Sequence, residues 1–249
     1  MIDTHSHLLC LEKKDDIIAN MQDDEMDYII NIGTTLEDSI DGVKLAERHE
    51  KVYATVGIYP EYSESVTDET LYKIEELAKH KKVVAIGEIG LDYHNEFNKE
   101  SQRNLLVKQL EIANRNRLPF CIHCRSAVSD LYDVLSENKH LINHSGLMHC
   151  YSEGKDWVQK FLDLGLYISF SGNITFRKSD RSFLKDIPLD KILVETDSPY
   201  LSPEPIRGRV NEPKNVRYII DKIALEIGIS GDRLEKITTE NAKRFYNLR

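Results

Sequence analysis

Val83-Val84-Ala85-Ile86-Gly87-Glu88 is a short, partly β-branched apolar run that stops on a carboxylate. Its length and composition suit a buried strand. The same layout recurs along the chain. Phe120-Cys121-Ile122 leads to His123, Leu147-Met148 to His149, and Ile192-Leu193-Val194 through Glu195-Thr196 to Asp197. The first run, around Ile2, leads to His5 and His7. Runs at Tyr28–Asn31, Val52–Val56 and Tyr167–Phe170 bring the total to eight. Between them apolar residues take helical spacing, as in Leu71, Ile74 and Ala78, in Leu106, Leu110 and Ala113, and in Val216, Ile220, Ile223 and Ile227.

Eight strand–helix units in 249 residues match the length of a (β/α)8 TIM barrel, an α/β fold. No linker, repeat or low-complexity tract divides the chain, so one domain over 1–249 is expected. An open doubly wound sheet has the same alternation but places its ligand where strand order reverses. The residues at the run ends decide between the two. In a closed barrel all C-terminal strand ends share one rim, so His5, His7, Glu88, His123, His149 and Asp197 would converge there.

Each of these residues has a bland reading by itself. His5 and His7, two apart and so on one side of a strand, can be inconsequential N-terminal residues. Glu88 can be a solvated loop acid, and His123 and His149 can bond the backbone. Asp197, before Ser198-Pro199, can cap a helix that begins at the proline. Taken together, four histidines and two carboxylates at five strand ends favour a metal site, expected to hold two ions. Cys121, Cys124 and Cys150 beside His123 and His149 offer a rival, a structural zinc site. It ranks lower because on a strand Cys124 faces away from Cys121 and His123.

The 33 Lys+Arg and 42 Asp+Glu residues give a net charge of −9. That disfavours coating nucleic acid through a generally basic surface, although two divalent cations at the rim would add about +4 locally. With 41% hydrophobic and 30% charged residues the composition is globular. No apolar run reaches the roughly 18 residues of a membrane span, and the start lacks signal-peptide features, so a cytoplasmic protein without membrane association is expected. The four cysteines are expected as free thiols, and a monomer is the favoured state.

Several segments resemble the TatD family of metal-dependent nucleases in the amidohydrolase superfamily. They are Asp3-Thr4-His5-Ser6-His7-Leu8, Gly87-Glu88-Ile89-Gly90-Leu91-Asp92, Ile122-His123-Cys124-Arg125, His149-Cys150-Tyr151, Ser171-Gly172-Asn173-Ile174-Thr175-Phe176 and Glu195-Thr196-Asp197-Ser198-Pro199-Tyr200-Leu201. Arg207–Pro213 and Thr239–Ala242 extend the likeness almost to the C-terminus. The resemblance implies a (β/α)8 barrel with His5, His7, Glu88, His123, His149 and Asp197 as metal positions, Glu88 bridging two ions. It implies hydrolysis of DNA phosphodiesters, with 3′ to 5′ exonuclease action on single strands. The chain departs from the family pattern at Tyr59 and Glu61, where relatives carry histidine at one or both positions, and at Val210, where a basic residue is common.

Asp197 is expected to serve both as ligand and as the base that takes a proton from the attacking water, with Glu88 catalytic beside it. Arg125 is the main candidate for gripping phosphate, with Arg207 and Arg209 adding contacts. Asp92 is expected at the substrate or orienting a histidine. Tyr151, with Tyr93 and Tyr200, is a candidate for stacking on bases. The donor set suits Mg²⁺, Mn²⁺, Zn²⁺ or Fe²⁺. Two other hypotheses stand beside the nuclease: a metal-dependent hydrolase of an amide, lactone or aminoacyl ester, and a non-catalytic metal-bound interaction protein.

Overall fold

The computed structural model describes residues 1–95, 98–178 and 180–248. All eight expected runs are strands: β1 Ile2–Ser6, β2 Tyr28–Asn31, β3 Val52–Val56, β4 Val83–Asp92, β5 Phe120–Arg125, β6 Gly146–Met148, β7 Tyr167–Phe170 and β8 Ile192–Val194. They lie parallel in the order of the sequence, each paired with the next. The helices are α1 Lys14–Ala19, α2 Leu36–Arg48, α3 Asp68–Ala78, α4 Lys99–Asn116, α5 Val128–Glu137, α6 Lys155–Asp163, α7 Asn173–Phe176, α8 Val216–Ile227 and α9 Gly231–Tyr246. This order is a (β/α)8 barrel in one domain, not a doubly wound sheet, because the strand order never reverses.

Alternation along each strand sorts the core into two layers. Ile29, Val52, Ala54, Phe120, Ile122, Ile168 and Ile192 face outward and join a cluster with helix residues such as Ile74, Leu110 and Ile223. Ile2, Ile30, Val84, Cys121, Leu147, Tyr167 and Leu193 point inward, as a barrel's alternate residues must. The last turn of α9 closes the bottom of this inner layer with Phe245 and Tyr246, and the Tyr246 hydroxyl donates to the Thr4 carbonyl at 2.8 Å. Side-chain caps start several outer helices: Thr35 accepts from Asp38 N, Thr67 from Thr70 N and Asn98 from Ser101 N.

Two strands run past their expected ends. β4 and β5 continue their pairing through Gly90↔His123 to Asp92↔Arg125. Between β8 and β1 the ladder shrinks to a single bridge, Ser6↔Ser198. Among the described residues no helix is long and apolar enough to cross a membrane.

Candidate metal centre

The rim at the C-terminal strand ends gathers all six expected donors. β1 delivers His5, and His7 follows one residue beyond it; Glu88 lies within β4, His123 within β5, and His149 directly after β6. Asp197 lies beyond β8 in the left-handed region, at φ +56°, and begins no helix, so the capping reading of this segment is corrected. Its amide donates to the His5 carbonyl at 2.9 Å, and the His7 amide donates to the Ser198 carbonyl at 2.8 Å.

Glu88 stands at the centre and divides its two oxygens. Oε1 lies 3.0 Å from His123 Nδ1 and 3.1 Å from His149 Nε2. Oε2 lies 3.5 Å from His5 Nε2 and 3.8 Å from His7 Nε2. Asp197 Oδ1 closes the second group at 3.4 Å from His7 Nε2 and 3.7 Å from His5 Nε2. The His5 and His149 rings stack at 3.9 Å between the two groups. His5 is fully buried, yet neither ring nitrogen has a hydrogen-bond partner. Buried polar atoms are nearly always satisfied, so this orphaned imidazole fits a cation held with Glu88 and Asp197. Sets of three donors occur as His5–His7–Glu88, Glu88–His123–His149 and His5–His149–Asp197.

The ionised carboxylates and the neutral His5 agree with that fit. Burial opposes ionisation of Glu88, but His149, His123 and His5 hold its carboxyl well below the usual carboxylate range. Asp197 is lowered against its own burial by His7, His149 and His5. Burial and neighbouring His149 depress His5, favouring the neutral imidazole that ligates. His149 is raised well above its ordinary value: burial works the other way, and the Glu88 and Glu195 charges outweigh it.

Two orienting residues lie outside the expected set. His149 Nδ1 donates to Glu195 Oε1 at 3.0 Å, and the same oxygen accepts from the Cys150 amide at 2.6 Å. The Tyr59 hydroxyl donates to Asp92 Oδ2 at 2.7 Å and lies 3.0 Å from His123 Nε2, which stands 3.1 Å from that same carboxylate oxygen. Asp92 thus acts on His123, turning its Nδ1 toward Glu88. Glu195 was findable: it precedes Asp197 by two residues, the strand period. Tyr59 shows in the sequence only as a missing histidine.

A cavity of about 590 Å³ opens above the donors. Arg125 lines it, as does Arg177, which the sequence reading passed over. Tyr151 and Arg207, both expected at the substrate, do not line it. Tyr151 is buried against Phe170 and Phe183 and donates to the Gly154 carbonyl. The Arg207 guanidinium stacks 3.7 Å over Phe176 and donates to the Ser202 carbonyl. Among the described residues no cysteine joins a three-donor set. Burial pushes the Cys121 and Cys150 thiols up to about 12 and raises Cys124 as well, which does not favour a thiolate zinc site.

Comparison with known proteins agrees with this architecture. The family described as TatD related DNase matches residues 2–247. The uncharacterized metal-dependent hydrolase YabD of Bacillus subtilis is 34% identical over 254 residues, covering 100% of this chain and 99% of that protein. The 3′-5′ ssDNA/RNA exonuclease TatD of Shigella flexneri is 31% identical over 243 residues, covering 94% of this chain and 93% of that protein. The crystal structure of YjjV, a TatD homologue from Escherichia coli, matches with a TM-score of 0.92 at 27% identity, covering 100% of this chain and 98% of that one.

Proposed function

The chain belongs to the TatD-related DNase family of metal-dependent hydrolases, and from that premise we propose that it hydrolyses phosphodiester bonds of nucleic acid, releasing nucleotides from the 3′ end of single-stranded DNA. The observation that carries this reading is Glu88, whose two oxygens serve two separate donor groups. In it, His5, His7, Glu88 and Asp197 would hold one divalent cation, and Glu88, His123 and His149 the other. When bound, such a pair neutralises charge developing on the phosphate and brings the pKa of water toward neutrality.

The remaining roles belong to side chains. Asp197, at the cavity wall and held ionised, takes the proton of the attacking water. Arg125 offers a two-pronged fork to a non-bridging phosphate oxygen pair. Glu195 and the Asp92–Tyr59 pair keep His149 and His123 in the tautomers that turn Nε2 and Nδ1, respectively, toward Glu88. The experiment is release of nucleotides from 3′-labelled single-stranded DNA with Mg²⁺ or Mn²⁺, repeated with Glu88→Ala. Release that is lost in the variant supports the reading. Turnover of an amide or ester with no nucleotide released would replace it with carbonyl hydrolysis.

A further inference from the structure

Most large apolar side chains of the described residues are covered, and among the exceptions only Tyr62, 40% exposed, and Tyr200, 56% exposed, also line the cavity above the donors. Tyr62 ends the turn Pro60–Tyr62 that follows β3. Tyr200 lies in the loop after β8, its ring edge-on to His7 at 5.9 Å. The two other tyrosines that invite the same role are engaged elsewhere. Tyr93 donates to Asp130 and lies under the Lys99 ammonium, and Tyr151 is buried.

Tyrosines and arginines reach the cavity from different strand ends. The tyrosines follow β3 and β8, which flank β1 and β2. Arg125 ends β5 and Arg177 follows β7, which flank β6. The Arg125 and Arg177 side chains have no salt-bridge partner among the described residues, and they line the cavity together with the tyrosines and most of the donors. Exposed tyrosine rings and guanidinium groups lining one cavity with the donor cluster match a single strand whose phosphates meet the cations and whose bases lie on the rings.

We propose that Tyr62 and Tyr200 form a stacking site for unpaired nucleobases beside the point of cleavage. The site rests on the nucleic-acid reading given above. It discriminates against duplex, because a base must leave its helix to lie on a tyrosine face. It does not read sequence, since every base offers a π-face.

The test compares kcat/KM of the metal-loaded enzyme on an oligothymidylate and on a strand of equal length whose 3′-terminal nucleotides are abasic. The wild-type enzyme should favour the base-bearing strand. Tyr62→Ala and Tyr200→Ala should each reduce that preference by about 5- to 150-fold, the range of stacking on one base, while Tyr62→Phe and Tyr200→Phe keep it. A variant that is merely misfolded slows both strands and leaves the ratio unchanged. Wild-type enzyme that cleaves both strands equally overturns the stacking site and leaves the nuclease standing, as does a ratio unmoved by either alanine while the rate on the abasic strand stays at the wild-type level. Wild-type enzyme that releases nucleotides from neither strand overturns both.

Discussion

The two halves of the donor cluster are built by different means. Glu88 and His123 sit on β4 and β5, whose backbone ladder continues past them to Asp92↔Arg125. His5, His7 and Asp197 sit where β1 meets β8, and there the ladder amounts to one bridge. The missing backbone bonds are replaced by side chains around Asp3. This fully buried carboxyl group accepts from Thr196 N at 2.9 Å, from Thr196 Oγ1 at 2.5 Å and from His5 N at 3.3 Å. Thr4 Oγ1 adds a bond to the Val194 carbonyl, and the Ser6 and Ser198 hydroxyls meet at 2.8 Å. The strands of one half are therefore tied by main chain; the strands of the other depend on a few buried polar atoms.

The sharpest way to break the laddered half is through its backbone. Gly90 has φ +143° and lies so close to β5 that a Cβ there would come within 2.0 Å of the His123 carbonyl oxygen. Gly90→Ala should cost about 3–5 kcal/mol, from a strained φ and a forced separation of the strands. Denaturant midpoints measured with metal present check this. A shift of only about 0.5 kcal/mol, typical of a surface change, would mean that the ladder does not hold this half.

The seam breaks through a side chain. Asp3→Ala leaves the Thr196 amide and hydroxyl buried without acceptors, which should cost about 2–4 kcal/mol. Because the bonds lost tie β1 to β8, on the two-ion proposal bound metal should fall from two ions toward one, with the ion between Glu88, His123 and His149 retained. Metal analysis of the purified variant decides; equal loss of both ions would erase the distinction between the halves.

Glu195 crosses from one half to the other. It belongs to the segment after β8, yet it orients His149, a member of the second donor set. Glu195→Gln removes the charge that faces the imidazole and should weaken metal affinity by about 10- to 100-fold, the usual cost of losing such a partner. Competition with a chelator measures it, and the weakened site should be that of His123 and His149. Weakening confined to the His5–His7 group would contradict the assignment.

The sequence made one part of this design easy to read and hid another. The six donors were legible because strand ends in a barrel share a rim, so a polar residue closing an apolar run has its position fixed by topology. The extent of β4 was not, because Gly87 and Gly90 look like strand breakers. In the fold they are the sites of close contact with β5, where a Cβ at Gly87 would lie 2.8 Å from Cys121 Cβ. The surroundings of Arg207 and Tyr151 were hidden for a different reason. A loop residue's direction depends on contacts distant in sequence, as between Arg207 and Phe176, and no periodicity encodes them.

Tyr59→Phe is the smallest and most discriminating change. It removes one hydroxyl that donates to Asp92 and touches His123, while the Asp92–His123 contact at 3.1 Å remains. A single hydrogen bond to a charged acceptor contributes about 1.5–3 kcal/mol when its loss is not relieved, but here Asp92 keeps the His94 amide and His123 as partners. The expected loss is therefore below that range, about 1 kcal/mol or fivefold in affinity for the ion near His123, with the seam half unaffected. Titration with Co²⁺, read by its visible absorption, separates the two ions. If the first and second equivalents weaken together, Tyr59 supports the rim as a whole and the halves are coupled there. If only one weakens, the laddered half has a side-chain support of its own, and the contrast with the seam is one of degree.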